Sequence, residues 1–330
     1  MNRRAFLGLA GGLFVGAPLS AVRVEAQGPS KHARVGVLFP SMDNTVFRTY
    51  FEGFRRRMTG LGYEAGRNLT FLYEFGDDQR TRLVTRAARL RDLRPDAIVA
   101  IAPAAVEVAS RATKDIPLIA VDHGTDPISA GYVKTLARPG GNITGIFMDF
   151  PELAGKWLEL LKATTPSLKR VALAWDPSTG TAQLDAARQA AEVLTLQVSL
   201  VEVRTQADFD RAFRTAASQG ANGLVALTSP IFNTALRHMA ELAIRHGVPT
   251  LVPFPAYAKS GGLIAYGPDV LRMYEQAAVM VGKVLSATPV ADIPVERPTR
   301  FTLALNVSAA KALGLTFPPS LLARADEVIE

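Results

Sequence analysis

The sequence contains no cysteine. This absence excludes a disulfide framework, a thiolate nucleophile, a cysteine-based metal site and a lipid anchor on a processed N-terminal cysteine. Histidine is also scarce, and the four histidines, His32, His123, His238 and His246, do not have the spacing of metal ligands. We therefore expect the protein to hold no metal and no cofactor.

Common enzyme motifs are missing as well. The sequence has neither a phosphate-binding G-x-x-x-x-G-K loop nor a G-x-S-x-G nucleophile elbow. The glycines between residues 60 and 66 have the wrong spacing for a dinucleotide loop and follow a predicted helix instead of a strand. We expect that the protein has no catalytic residue and is not an enzyme. The alternative is an enzyme that acts through Asp122, His123 and Asp126.

Apolar runs long enough to span a bilayer are absent after the N-terminal region. Near the start, Arg3 and Arg4 precede an apolar, glycine-rich run and then Val24-Glu25-Ala26, a small-residue cleavage pattern. The arginine pair resembles a twin-arginine export signal. We expect residues 1–26 to be a cleaved export signal and the rest to act in the periplasm. A general secretory signal and a retained membrane anchor are the alternatives.

The positive charge is modest, with a formal net charge of +7 over 330 residues. Its densest part, the arginines between residues 80 and 94, falls on a predicted helix, where a solvated face is a simpler explanation than phosphate binding. A helix-turn-helix pattern does not precede residue 34. We therefore expect no nucleic-acid partner.

Strands alternating with helices make up the remainder of the chain. Continuous apolar runs, such as residues 34–39 and 97–101, are typical of parallel strands buried on both faces. Amphipathic helical patterns separate them, and the same alternation returns after a Pro-Gly-Gly break at 139–141. The pattern predicts an α/β protein with two doubly wound parallel-sheet lobes, each of roughly four strands.

The end of the chain predicts how the lobes are joined. An apolar strand at 301–305 follows a complete second lobe, so the chain should cross between lobes three times, near 146–150, 251–266 and 299–306. Three connections would form a hinge. We expect a first lobe of 27–147 plus about 258–290, and a second lobe of 148–257 plus about 291–330.

Polar and aromatic residues follow the predicted strands at the edge where parallel sheets bind ligands. The candidate ligand-binding residues are Ser41, Asn44, Pro103, Ala104, Asp122, His123, Thr125, Asp126, Trp175, Asp176, Ser178, Thr179, Ser229, Phe254 and Tyr257. Some of them, including Asp176 and Ser178, precede helices and would also serve as N-caps. This mixture of groups suits a small polar or zwitterionic molecule with an apolar or aromatic part.

Several segments together resemble the substrate-binding proteins of ABC importers, in the tryptophan/tyrosine-binding-like group. They are GLGY at 60–63, APAA at 102–105, TDPI at 125–128, RPGGNITG at 138–145, AWDP at 174–177 and GGLIAYGPD at 261–269. The resemblance implies a type I periplasmic binding fold whose lobes close over one molecule and present it to an ABC permease in the inner membrane. It places ligand loops at Ser41, Pro103, Thr125, Asp126, Asp176, Ser178 and Ser229.

The resemblance further implies a monomer that binds a small carboxylate-bearing molecule, an amino acid or an aromatic acid. Where amino-acid-binding members tend to carry an acidic residue, this chain has Thr228-Ser229-Pro230. An α-ammonium group would lose one counterion there. The alternative function is a periplasmic sensor that presents its ligand to a membrane receptor or kinase.

Overall fold

The first lobe is built on a parallel sheet. A computed structural model of the chain describes residues 32–40, 45–77, 79–148, 151 and 153–330. The expected export signal, Ser41 and Asn44 therefore lie outside the described residues. The lobe's elements are β1 (Ala33–Phe39), α1 (Thr45–Gly60), β2 (Leu69–Phe75), α2 (Arg80–Leu93), β3 (Ala97–Ile101), α3 (Pro103–Ala112), β4 (Leu118–Asp122) and β5 (Ile143–Phe147). Within the described chain, five strands form this sheet in the order β2-β1-β3-β4-β5.

Burial explains why these runs form strands and helices. All residues of β3, β4 and β5 are buried, because helices cover both faces of the sheet. Leu83, Ala87 and Leu90 of α2 are buried at helical spacing. Arginines on the opposite face of α2 form ion pairs, such as those of Arg86 and Arg89 with the buried Glu74, at 3.1 Å each.

The second lobe contains α4 (Leu153–Thr164), β6 (Arg170–Trp175), α5 (Ala182–Val193), β7 (Gln197–Glu202), α6 (Phe209–Ser218), β8 (Leu224–Ala226), α7 (Pro230–Asn233), α8 (Leu236–Arg245), β9 (Thr250–Val252), α9 (Ala256–Lys259) and β10 (Ile264–Pro268). The remaining elements are α10 (Val270–Leu285), β11 (Phe301–Asn306), α11 (Val307–Ala312), α12 (Pro319–Leu322) and β12 (Glu327–Ile329). Over the described ranges, seven strands form the second sheet in the order β12-β11-β10-β9-β8-β6-β7. Among the strands that the structure describes, only β10 and β11 pair antiparallel. The expectation of roughly four parallel strands in each lobe was therefore too low.

Along the described chain, the two sheets are connected three times. The chain leaves the first sheet after β5, returns after β10 into α10, which packs on α1, β3, β4 and β5, and leaves again before β11. The segment before β11 lies along β5, since Phe147 N–H donates to the Glu296 carbonyl at 3.1 Å and Glu296 N–H donates to the Gly145 carbonyl at 2.9 Å. The predicted hinge of three connections is present, with the second crossing just after Pro268 and not within 251–266.

The lobe boundaries differ from those expected. The range of about 258–290 was assigned to the first lobe, but β10 belongs to the second sheet. Residues 293–296, expected in the second lobe, lie against the first sheet, where Thr144 Oγ1 donates to the Ile293 carbonyl at 2.7 Å. Among the described residues, no helix is both long and apolar enough to cross a membrane.

Candidate ligand-binding cleft

The carboxyl ends of the strands in one sheet face those of the other, and the two lobes are in contact there. Gly124, in the loop after β4, lies against Thr179 and Thr228 of the second lobe. A Cβ atom on Gly124 would lie 3.1 Å from the Thr228 carbonyl oxygen. The Tyr50 hydroxyl of α1 donates to Asn233 Oδ1 of α7 at 3.4 Å. The structure therefore has the cleft closed.

A cavity of about 580 Å³ lies between the lobes. This volume falls within the usual range for small-molecule sites. The first lobe contributes Pro40, Phe47, Ala102, Pro103 and Ala104, and the second contributes Asp176, Ser178, Arg204, Thr205, Gln206, Ala207, Pro230, Ile231 and Thr234. Four of the predicted ligand residues, Pro103, Ala104, Asp176 and Ser178, thus line one cavity.

The first-lobe wall is the N-terminus of α3. Ala102 has φ 73° and ψ 156°, a conformation that is unusual for a residue with a Cβ atom. Its N–H donates to the Val121 carbonyl at 2.9 Å, which ties it to the end of β4. This turn brings Pro103 and Ala104 to the cavity, and the Ala104 N–H is available there because the N–H groups of Ala105 and Val106 donate to the Ala102 carbonyl. An anionic group is favoured at such a helix end.

The second-lobe wall is organised by Asp176, which is 4% exposed. Its Oδ1 accepts a hydrogen bond from Ser178 N–H at 2.9 Å, so Asp176 caps the short 3₁₀ turn that follows β6. Its Oδ2 accepts from Ser229 Oγ at 2.6 Å, and Ser229 Oγ accepts from Ile231 N–H at 3.2 Å. Asp176 therefore joins two strand ends and presents a carboxylate at the cavity.

Asp122 and His123 are both completely buried at the end of β4. Asp122 Oδ1 accepts hydrogen bonds from the N–H groups of Gly124 and Thr125, at 3.0 and 2.9 Å, and so shapes the loop. The His123 ring lies 6.5 Å from the ring of Tyr274, centroid to centroid. Burial lowers the pKa of His123 to about 4. The imidazole is therefore neutral at pH 7.

Other predicted ligand residues have structural roles outside this cavity. Asp126 accepts hydrogen bonds from Ile128 N–H at 3.0 Å and Ser129 Oγ at 2.5 Å, which makes it a turn residue. Trp175 donates its indole N–H to the Gly180 carbonyl at 2.8 Å. Phe254 and Tyr257 were predicted to contact the ligand, but both are buried core residues. The ring of Tyr257 packs beside Gly262. Thr179 lies at the contact between the lobes, against Gly124, and Thr125 N–H donates to Asp122 Oδ1 in the loop after β4.

Sequence reasoning missed the segment 204–207 and the aromatic residues of the closed interface. Arg204 follows β7, so the same strand-end argument applied to this edge strand would have found it. It is paired with Glu202, and its side chain is 69% exposed. Tyr50 and Tyr274 lie on helices at the same spacing as ordinary core residues, so the sequence pattern does not distinguish them from the core.

The comparison with protein families agrees with this geometry. Residues 35–329 match the model of the ABC transporter substrate binding proteins. The chain belongs to this family. The family is one of solute-binding proteins and not of enzymes, which confirms the prediction made from the missing motifs. In the part of the chain that the structure describes, no three metal-ligating side chains come together.

This substrate-binding protein also resembles individual relatives. The tyrosine-binding protein of Clostridioides difficile is 26% identical over 278 residues, which cover 84% of this chain and 78% of that protein. A conserved domain protein from Vibrio cholerae has a TM-score of 0.83 at 25% identity, covering 90% of this chain and all of that one. The ABC domain from Streptococcus pneumonia in complex with L-Trp has a TM-score of 0.83 at 24% identity, covering 91% and 100%. The predicted type I periplasmic binding fold is confirmed.

Proposed function

We propose that this protein is the periplasmic component of an ABC importer and that it binds a small carboxylate-bearing molecule, an amino acid or an aromatic acid, for delivery to a membrane permease. The observation that carries the proposal is the cavity of about 580 Å³ whose walls come from both lobes. A ligand in that cavity touches both lobes at once. Its binding energy then favours the closed state over the open one.

The carboxylate of the ligand is assigned to the side of the cavity formed by α3 and Arg204. The N-terminal turn of α3 offers the Ala104 N–H and the positive end of the helix dipole. Arg204, on the opposite lobe, supplies a cation that forms charge-assisted hydrogen bonds with a carboxylate. A carboxylate held by both elements connects the two lobes.

An α-ammonium group is assigned to Asp176. The sequence lacks the acidic residue that amino-acid-binding relatives tend to have near Ser229, but Ser229 donates a hydrogen bond to Asp176 in the same region. The Asp176 carboxylate at the cavity wall thus offers the missing counterion. The tyrosine-binding relative from Clostridioides difficile supports an amino-acid ligand.

The first prediction concerns ligand class and closure together. We expect aromatic amino acids or aromatic acids to raise the stability of the purified protein, by about 2.7 kcal/mol at 100 times the dissociation constant. Sugars and nucleosides are the matched negative panel in the same thermal-shift assay. We also expect the radius of gyration, measured by small-angle X-ray scattering, to fall on binding. Stabilisation by the negative panel alone contradicts the ligand class, and tight binding without compaction contradicts the closing mechanism.

The second prediction tests the carboxylate assignment. Arg204→Gln should weaken binding of a carboxylate ligand about tenfold. This loss is at the lower end of the range for charge-assisted hydrogen bonds, because the Arg204 side chain is largely exposed. Isothermal titration calorimetry measures the change. Arg188→Gln, on the outer face of α5, is the control and should retain wild-type affinity. Equal affinities for the two variants would remove Arg204 from the site.

A further inference from the structure

A groove of about 670 Å³ lies beside the hinge, where α1, α10 and the segment that crosses to β11 meet. Among the described residues, none lines both this groove and the cleft cavity. We call it the hinge groove. Its charged lining residues are Arg56, Arg57, Asp269, Arg272, Glu275 and Arg300.

Helical spacing and close helix packing bring three of the arginines to this groove. Gly53, Arg56 and Arg57 lie on one face of α1, at intervals of three and four residues. Arg272 lies on the first turn of α10. A Cβ atom on Gly53 would lie 2.3 Å from Leu271 Cδ1, so α10 lies directly against α1 beside these arginines. The two helices therefore present their guanidinium groups to one shared space.

Most of these arginines lack a partner within the protein. In the part of the chain that the structure describes, the side chains of Arg56, Arg57 and Arg300 form no ion pair and no hydrogen bond. The arginines of α2, by contrast, are largely paired with carboxylates. Unpaired charges of one sign that line a concave surface attract ions of the opposite sign.

The two carboxylates of the lining do not neutralise the groove. Glu275 pairs with Arg272 at 3.1 Å. Asp269 is the N-cap of α10, and its Oδ1 accepts a hydrogen bond from Leu271 N–H at 2.9 Å. Four arginines against these two carboxylates leave the lining with two net positive charges.

Arg300 reaches the groove from the other side of the hinge. It directly precedes β11 of the second sheet, whereas the other three arginines belong to the first lobe. The preceding segment is attached to the first lobe as far as Glu296, whose N–H donates to the Gly145 carbonyl at 2.9 Å and whose Oε2 accepts from Gln276 Nε2 at 3.2 Å. Residues 297–300 thus form the crossing itself. An anion between Arg300 and the two helices would contact both sides of it.

The guanidinium groups restrict the kind of ligand. Each one carries a positive charge and a planar fork of N–H donors with no acceptor, so the bound group has to be an anionic acceptor. Several such forks around one site favour a ligand with several charged oxygens. The volume of about 670 Å³ is within the usual range for small molecules and far exceeds the size of a halide ion.

We propose that the hinge groove is a second binding site, for a small anion with several charged oxygens such as a diphosphate or a polycarboxylate. The anion is held between the arginines of α1 and α10 and Arg300 before β11. This site is separate from the cleft cavity, so its occupancy does not require the ligand of the proposed function.

Titration calorimetry of the purified protein at low ionic strength tests the site, with inorganic pyrophosphate and citrate as separate probes. The two probes distinguish a phosphate ligand from a polycarboxylate, and we expect at least one of them to bind at a ratio of one to one. Arg57→Gln and Arg300→Gln should each weaken this binding about tenfold, which corresponds to the loss of one charge-assisted hydrogen bond. Added salt should weaken it as well, because the charges are exposed. Unchanged affinity in Arg300→Gln would overturn an anion that bridges the hinge.

Two control variants should keep the wild-type affinity for the anion. Arg214 on α6 is exposed and has no ion-pair partner among the described residues, so Arg214→Gln removes the same charge far from the groove lining. Arg204→Gln alters the cleft instead. A tenfold loss in Arg214→Gln would mean general attraction to a basic protein, and a loss in Arg204→Gln alone would place the anion in the cleft. Either result overturns the proposal.

Failure of this site is distinguishable from failure of the proposed function. If neither probe binds, the hinge groove is not an anion site, whereas binding of aromatic amino acids or acids in the cleft is measured independently of it. Co-sedimentation with phosphatidylglycerol vesicles tests the other use of exposed arginines, contact with a membrane. Vesicle binding that is lost in Arg57→Gln and Arg300→Gln, without binding of either probe, would also overturn the proposal.

Discussion

Gly124→Val should weaken ligand binding roughly 10- to 100-fold, because the valine side chain holds the lobes apart. In the closed structure a Cβ atom on Gly124 would lie 3.1 Å from the Thr228 carbonyl oxygen and 3.1 Å from Thr179 Cγ2. Both of these atoms belong to the opposite lobe. Overpacking of this kind costs about 1 to 3 kcal/mol, and here that cost falls on the closed state alone.

The backbone conformation at position 124 does not require a glycine. The backbone at Gly124 is not in the left-handed region, so a valine there is not strained before closure. We therefore expect unchanged thermal stability without ligand, weaker binding by calorimetry and no decrease in the radius of gyration at saturating ligand. Gly141→Val is the matched control, since Gly141 lies in the same lobe with open space around it. Wild-type affinity and compaction in Gly124→Val would contradict a closure that passes through this contact.

The layered fold was predictable because its strands are buried on both faces. Continuous apolar runs such as residues 97–101 and 118–121 are sufficient to mark parallel strands, and they coincide with β3 and β4. The three connections were predictable from a strand placed after a complete second lobe. These features are local, or they follow from counting elements along the chain.

The lobe assignment of β10 was not predictable from local pattern. The helix that follows β10 belongs to the other lobe and packs on α1. A strand and the next helix usually pack together. The separation of β10 from α10 is determined by long-range tertiary packing and not by the local sequence pattern. The close contact of Gly267 with Pro253, where a Cβ atom would lie 1.9 Å from the carbonyl oxygen, shows how tightly β10 fits the second sheet.

The cavity was predictable only in part. Strand-end reasoning found Pro103, Ala104, Asp176 and Ser178, because loops at the carboxyl edge of parallel sheets converge on one cleft. It also selected Phe254, which turned out to be a core residue. A residue type and a position in sequence do not distinguish a ring that faces a cleft from one that faces a core.

The loop after β4 sets the contact between the closed lobes. Gly124 lies in the contact between the lobes, and its neighbour His123 is completely buried. Asp122 holds this loop by accepting hydrogen bonds from the next residues. The same four-residue turn therefore sets how closely the lobes approach.

Acidification should destabilise the closed protein through His123. Burial lowers the pKa of His123 in the folded state to about 4, whereas a histidine in an unfolded chain has a pKa of about 6.5. As the pH falls through 6.5, the unfolded chain gains a proton that the folded protein does not bind until about pH 4. The free energy of unfolding therefore decreases across this window, by on the order of 3 kcal/mol in total, and stays decreased below it.

Urea denaturation at pH 7, 5.5 and 4 measures this effect. His123→Phe keeps an aromatic ring beside Tyr274 but has no proton to bind, so its free energy of unfolding should fall less than that of the wild-type protein, by the same roughly 3 kcal/mol between pH 7 and 4. Tyr274→Phe is the control, because burial raises the pKa of that phenol far above this pH range and its removal leaves the pH dependence unchanged. Every variant keeps an aromatic ring at position 123 and at position 274, which are in contact in the wild-type protein, so packing differences largely cancel when the pH dependences are compared. Equal decreases for His123→Phe and the wild-type protein would mean that His123 takes up its proton in the folded state as readily as in the unfolded chain, and hence that water or a charged partner reaches its ring.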